Sequence, residues 1–143
     1  MNKSRLLANS TRSRRGMSLT EIMVVIAIIG IVGSVIAVNV FSFLDDAAVD
    51  GTKIQIRNME KGLIAYAAKH KGKFPSGSEG LDAAKKYFGD KGEVPVDQWG
   101  NAFLYSSPGS HGDHPYEIVS LGKDGKEGGE DANADIQSWN MDE

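Results

Sequence analysis

The chain has no cysteine. A disulfide framework and a zinc–thiolate site are therefore excluded, and the redox compartment leaves no mark on the sequence. Catalytic patterns are missing too. Ser120 has no His–Asp arrangement beside it, and no nucleophile motif occurs. The Gly-rich stretch 125–129 lacks the Lys-Ser/Thr ending of a phosphate loop, and the acids that follow it repel phosphate. His111 and His114 flank Gly112-Asp113, yet two histidines without a third ligand are poor grounds for zinc.

Two further absences are regional. No acid precedes Glu21, whereas Lys3, Arg5, Arg12, Arg14 and Arg15 all do. No charge of either sign occurs from Ile22 to Leu44, about 23 positions. A helix of about 20 residues crosses a bilayer core about 30 Å thick, so this stretch reads as a membrane segment. An ordinary secretory signal has roughly 7–15 apolar residues followed by a small-residue cleavage site. Here the run is longer, and the bases abut Gly16 ahead of it. Bases on one side of the span place the N-terminus in the cytoplasm and the C-terminal domain outside. Without the five leader bases, 11 Lys and Arg face 19 Asp and Glu, a net charge of −8 against −3 for the whole chain. A body that acidic argues against nucleic-acid binding.

Glu21 is the anomaly at the mouth of the apolar run. An unpaired carboxylate in such a segment costs on the order of 2–3 kcal/mol. In one reading it is a helix-start residue beside Ser18 and Thr20, favoured there by the helix dipole. In the other it waits for a cation inside a later assembly. A cut after Gly16 would create a positive amine on Met17, within reach of a neighbour's Glu21.

A basic leader, Gly16, an apolar residue and a glutamate five positions on, before an apolar helix, resemble the class III signal of type IV pilins and type II secretion pseudopilins. The resemblance implies cleavage after Gly16 by a prepilin peptidase, N-methylation of Met17 and a role for Glu21 in assembly. Met17 stands where this signal usually has Phe and keeps the site apolar.

Beyond the span, Asp45 and Asp46 end the apolar run. Thr52, Ile56, Met59, Leu63, Tyr66 and Ala67 then recur at three- and four-residue spacing, one buried stripe of an amphipathic helix. The pattern predicts a single helix from about Ser18 to Lys69, about 75 Å long at 1.5 Å per residue. Gly30, Gly33 and Gly51 are its weak points. His70-Lys71-Gly72-Lys73 reads as the helix end, and Phe74-Pro75-Ser76-Gly77 as a turn. A short helix is predicted over Leu81 to Phe88, then strands over Ala102 to Ser106 and Tyr116 to Ser120, the latter with Tyr116, Ile118 and Ser120 on one face. Trp99 and Trp139 read as packing anchors. The result is an α+β unit, a long helix packed on a small antiparallel sheet.

The segments FPSGSEGL, VPVDQWGNAFLY, PGSHG and LGKDGKEGG occur in that order. They resemble the major pseudopilins of type II secretion, the general secretion pathway protein G group. Gln98 stands where that group more often has Pro, and Lys123 where Ala is common. The resemblance implies a type IV pilin-like fold in three parts: a cleaved leader over 1–16, a transmembrane and assembly helix over 17–44, and a periplasmic domain over 45–143. The loop from Leu121 to Asp135 is dense in Gly and oxygen-bearing side chains, and calcium takes about 6–8 oxygen ligands. By composition alone a solvated acidic loop is an equal reading. It is no EF-hand: Asp131-x-Asn133-x-Asp135 opens like one, but Ile136 replaces the required Gly. The resemblance implies calcium here, held by the carboxylates of Asp124 and Asp131 and the carbonyls of Leu121 and Lys126. Asn133 and Asp135 are further candidates.

The expected function is structural, not enzymatic. The resemblance implies an inner-membrane precursor with its C-terminal domain in the periplasm, polymerised into a pseudopilus that drives export of folded proteins. The implied partners are copies of itself, minor pseudopilins, a prepilin peptidase, the inner-membrane assembly platform and, before assembly, lipid. Two alternatives stand beside it: a type IV pilin for adhesion or motility, and a membrane-anchored calcium-binding module that does not polymerise.

Overall fold

The computed structural model describes residues 16–89 and 91–141. Of the leader expected over 1–16, only Gly16 falls within them, and Arg12, Arg14 and Arg15 lie outside. The chain divides into two units, residues 1–39 and 40–143.

The first unit is helical from Leu19 onward, the start of α1 (Leu19–Lys69). Its N-terminus is a capping box. The Ser18 N–H donates to Glu21 Oε2 at 2.6 Å, and the Glu21 N–H donates back to Ser18 Oγ at 3.2 Å. Two backbone donors that a helix start leaves unpaired are satisfied reciprocally. Two polar side chains of the apolar run also find partners within the helix. Ser34 Oγ donates to the Ile31 carbonyl at 2.7 Å, and Asn39 Nδ2 to the Val35 carbonyl at 2.9 Å. Such internal satisfaction is what a water-free surrounding demands. α1 is long and apolar enough to cross a membrane, and none of the large apolar side chains from Met17 to Leu44 is buried. The helix continues without a break through Gly30, Gly33 and Gly51.

In the second unit, α1 buries the expected stripe: Thr52, Ile56, Met59, Leu63, Tyr66 and Ala67, with Gly62 among them. Thr52 is fully buried and stays satisfied, donating Oγ1 to the Ala48 carbonyl at 2.9 Å and accepting the Gln98 N–H at 3.3 Å. Gly62 is small because Tyr87 and Phe88 press on it. A side-chain carbon there would lie 2.8 Å from the Tyr87 carbonyl oxygen and 2.5 Å from the Phe88 ring. α1 closes with the Gly72 N–H donating to the Ala67 carbonyl at 2.8 Å and Lys71 left-handed at φ 57. This is a Schellman closure with a lysine in the place glycine usually takes.

The helix expected over Leu81 to Phe88 is a 3₁₀ helix, Leu81–Tyr87, burying Leu81 and Ala84 at the three-residue spacing of that geometry. The sheet has three antiparallel strands in the order β1 (Leu104–Ser106), β2 (Glu117–Ser120), β3 (Ile136–Gln137). Leu104 pairs with Val119 and Ser106 with Glu117, while Ser120 pairs with Ile136. Both predicted strands are shorter than expected. Ala102 instead makes an isolated bridge with Val96, and β2 begins at Glu117. β3 was not expected at all, since two residues carry no readable alternation. Ile56, Met59 and Leu63 meet Leu81, Ala84, Phe103, Ile118 and Ile136 in one core.

Candidate functional site

Two regions hold the residues singled out by sequence. At the first, Gly16, Met17 and Ser18 precede the helix without regular secondary structure, and Met17 is 65% exposed. Glu21 is one helical turn inside and engaged by Ser18. The glutamate caps its own helix, and its carboxylate remains exposed.

The second region is the loop 121–135. Its two ends are drawn together. The Lys123 N–H donates to the Ala132 carbonyl at 2.9 Å. Gly122 is left-handed at φ 65, and a side-chain carbon there would lie 2.7 Å from the Asn133 carbonyl group, so no other residue fits. Asp124 Oδ1 accepts the Lys126 N–H at 3.1 Å, turning the chain back on itself. Asp131–Asn133 form a single 3₁₀ turn, with Asp131 at φ 53. Asp135 Oδ2 accepts the Gly128 N–H at 3.0 Å, while its Oδ1 is buried with no hydrogen-bond partner. A buried carboxylate oxygen without a partner fits a cation. The carboxylates do not converge as a cluster: among the described residues, no three His, Asp or Glu side chains gather at a common point. Any cation held here draws much of its coordination from carbonyls.

Lys123, a departure from the expected Ala, has a structural partner. Its Nζ lies 2.8 Å from both carboxylate oxygens of Asp45 on α1, tying the loop to the helix. The pair is partly exposed and is worth on the order of 1 kcal/mol or less.

Two buried carboxylates escaped the sequence reading. Glu117 is 4% exposed on β2. It accepts the His111 N–H, Ser110 Oγ at 3.0 Å, Ser106 Oγ at 3.3 Å and contacts His111 Nδ1 at 3.1 Å. Burial raises its pKa, but the hydrogen bonds from His111 and Ser110 outweigh burial and lower it to about 2. His111 is thus committed to Glu117 and stacks on Trp139 at 4.3 Å between ring centroids. Asp97 is 4% exposed in the turn before Ala102. Its Oδ1 accepts the N–H groups of Trp99 and Asn101 at 3.0 and 2.7 Å, and its Oδ2 accepts Ser120 Oγ at 2.7 Å. An Asp followed by a Gly-containing turn signals such a local cap, though not its burial.

The family described as Type II secretion system (T2SS), protein G, matches residues 39–139. A Pseudomonas aeruginosa relative named "Type II secretion system core protein G" is 38% identical over 140 residues, 90% of this chain and 96% of the relative. The chain belongs to the type II secretion system protein G family. Further protein G relatives, of the same printed name, include one from Vibrio cholerae and one from Escherichia coli. They are 32% and 31% identical over 91% and 92% of this chain, covering 94% and 95% of their own lengths. The Prokaryotic N-terminal methylation motif matches residues 11–37, which includes Gly16, Met17 and Glu21. The methylation motif takes in the expected cleavage site and most of the apolar run, and the protein G match takes in the loop 121–135.

Proposed function

We propose that this chain is the major structural subunit of a type II secretion pseudopilus, without enzymatic activity of its own. The observation that carries the proposal is the unburied apolar face from Met17 to Leu44, in a chain that belongs to the protein G family. In the membrane that face meets lipid, and the C-terminal domain lies in the periplasm. In the polymer the face meets the same segment of other copies, so protein contacts replace lipid contacts. A prepilin peptidase cuts after Gly16 and methylates Met17. The assembly platform and minor pseudopilins start and extend the filament, which pushes folded proteins outward. Co-expression with a prepilin peptidase is expected to shorten the chain by the leader and leave a methylated Met17, read by mass spectrometry. Electron microscopy is then expected to find filaments when the secretion platform is present. An intact leader, or a processed chain that stays monomeric alongside the platform, overturns the proposal in favour of an anchored module. Filaments built only by a motility apparatus favour the adhesive pilin.

We further propose that the loop 121–135 holds calcium. The unpartnered Asp135 Oδ1 and the drawn-together loop ends support this. Asp124 and Asp131 supply carboxylates, Leu121 and Lys126 supply carbonyls, and Asn133 and Asp135 complete the oxygen-rich surround. Bound calcium supplies positive charge that offsets the negative charge of these acids. The test is the melting temperature of the processed chain in detergent, with calcium and with chelator.

A further inference from the structure

We propose that Asp97, outside the acidic loop, is the positioning residue that holds that loop ready for a cation, acting through Asn101 and Ser120. The inference rests on the calcium reading above. Asp97 is buried, and each of its oxygens is committed. Oδ1 fixes the turn through the Trp99 and Asn101 N–H groups, and Oδ2 orients the Ser120 hydroxyl. Two of the residues held by Asp97, Ser120 and Asn101, then grip a single residue, Gly122, one on each side. Ser120 Oγ, having donated its proton to Asp97, accepts the Gly122 N–H at 3.3 Å. Asn101, having given its own N–H to Asp97, donates Nδ2 to the Gly122 carbonyl at 2.8 Å. The same amide lies under the next corner of the loop, where a side-chain carbon on Gly125 would be 3.4 Å from Asn101 Oδ1.

Gly122 is where the loop closes. It packs against the Asn133 and Ala134 carbonyls, and the following N–H, that of Lys123, takes the Ala132 carbonyl. Asp124 lies one residue past this closure on the outgoing side, and Asp131 one residue before it on the return. Moving Gly122 therefore moves the two carboxylates relative to each other. None of Asp97, Asn101 or Ser120 is among the residues that would hold the cation. Their effect is on the state of the loop before binding, and preorganisation of this kind sets metal affinity.

The decisive variant is Asn101→Ala, which removes the grip on the Gly122 carbonyl and leaves the three bonds of Asp97 untouched. Asp97→Asn tests the root of the network. Calcium alone is titrated calorimetrically into the full processed chain in detergent, and melting is followed with chelator. Both variants are expected to weaken calcium binding by about 10-fold or more, as outer-shell substitutions do. Asn101→Ala is expected to do so with a chelator-state melting temperature close to wild type. A purely structural role lowers melting equally with and without calcium and leaves Kd unchanged, which overturns the proposal. If Asp97→Asn does not fold, Asn101→Ala alone decides. A wild-type chain that takes up no calcium overturns the calcium reading and this inference together. A wild type that binds, beside an Asn101→Ala that binds equally tightly, overturns only the positioning role.

Discussion

Glu21 performs one task that the sequence alone left as an alternative to another. Its carboxylate closes a capping box with Ser18, and the same carboxylate is proposed to receive a neighbour's terminal amine. Two substitutions separate these tasks. Glu21→Gln retains a side chain able to accept the Ser18 N–H but carries no charge. Glu21→Ala loses both. Each is expected to insert in the membrane normally, since the apolar run only improves. Each is expected to lose filaments by electron microscopy, because the partner amine stays buried without a counter-charge. Wild-type filament numbers in Glu21→Gln would show that the cap, and not the charge, is what assembly needs. Glu117 gives a pH dependence of known sign. Its pKa is lowered from 4.5 to about 2, so its contribution to stability is full above about pH 4.5 and disappears as pH falls through about 2. The gap in melting temperature between wild type and Glu117→Gln is therefore expected to be widest above pH 4.5 and to close towards pH 2, measured with chelator present. At this scale the sequence was half legible. Gly16, Met17 and Glu21 announce themselves by spacing, whereas Glu117 sits at an alternate position of a strand and reads as its solvent face. It is buried only because the 107–114 segment folds over β2 and donates to it, which no local pattern encodes.

The elements divide in the same way. α1 is legible from end to end because periodicity over many turns averages out local exceptions, and its buried stripe is the predicted one. The strands are less so. β1 and β2 are short, and β3 exists only through pairing with β2. Their limits are set by partners distant in sequence, so they cannot be read locally. The end of α1 adds a detail that spacing does not carry. The predicted stretch 70–73 does close the helix, but within it Lys71 as well as Gly72 is left-handed. An L-residue in that conformation costs about 1–2 kcal/mol, which glycine avoids. Lys71→Gly is expected to stabilise the chain by about 1 kcal/mol in urea denaturation, with an unchanged slope against denaturant. A loss of stability would mean that the Lys71 side chain makes a compensating contact.

For the whole molecule the dominant number is charge. With the proposed leader removed, the chain carries −8, and part of it is concentrated in the loop 121–135. Ordering that loop is opposed both by the repulsion among its acids and by the backbone entropy of its glycines. A cation that binds only the folded chain stabilises it by about 2.7 kcal/mol at a hundredfold excess over Kd. Calcium is therefore expected to raise the melting temperature, and chelator to lower it. Asp124→Ala and Asp131→Ala are expected to abolish most of that difference, whereas Asp113→Ala, in the preceding loop, retains it. Magnesium is expected to substitute poorly, since it demands octahedral geometry and gives up water reluctantly. Equal melting with calcium and chelator in the wild type returns the loop to a solvated acidic segment tied down by Lys123 and Asp45.

The capping box has one more consequence, and it concerns access. By fixing the first helical residue at Leu19, the Ser18–Glu21 pair leaves the Gly16–Met17 bond outside the hydrogen-bonded ladder. Enzymes that cut chains commonly take hold of extended backbone, and a bond wound into a helix is hidden from them. The two bonds that begin the helix thus also act as a fence, holding the bond proposed for cleavage on the side where a peptidase can grasp it.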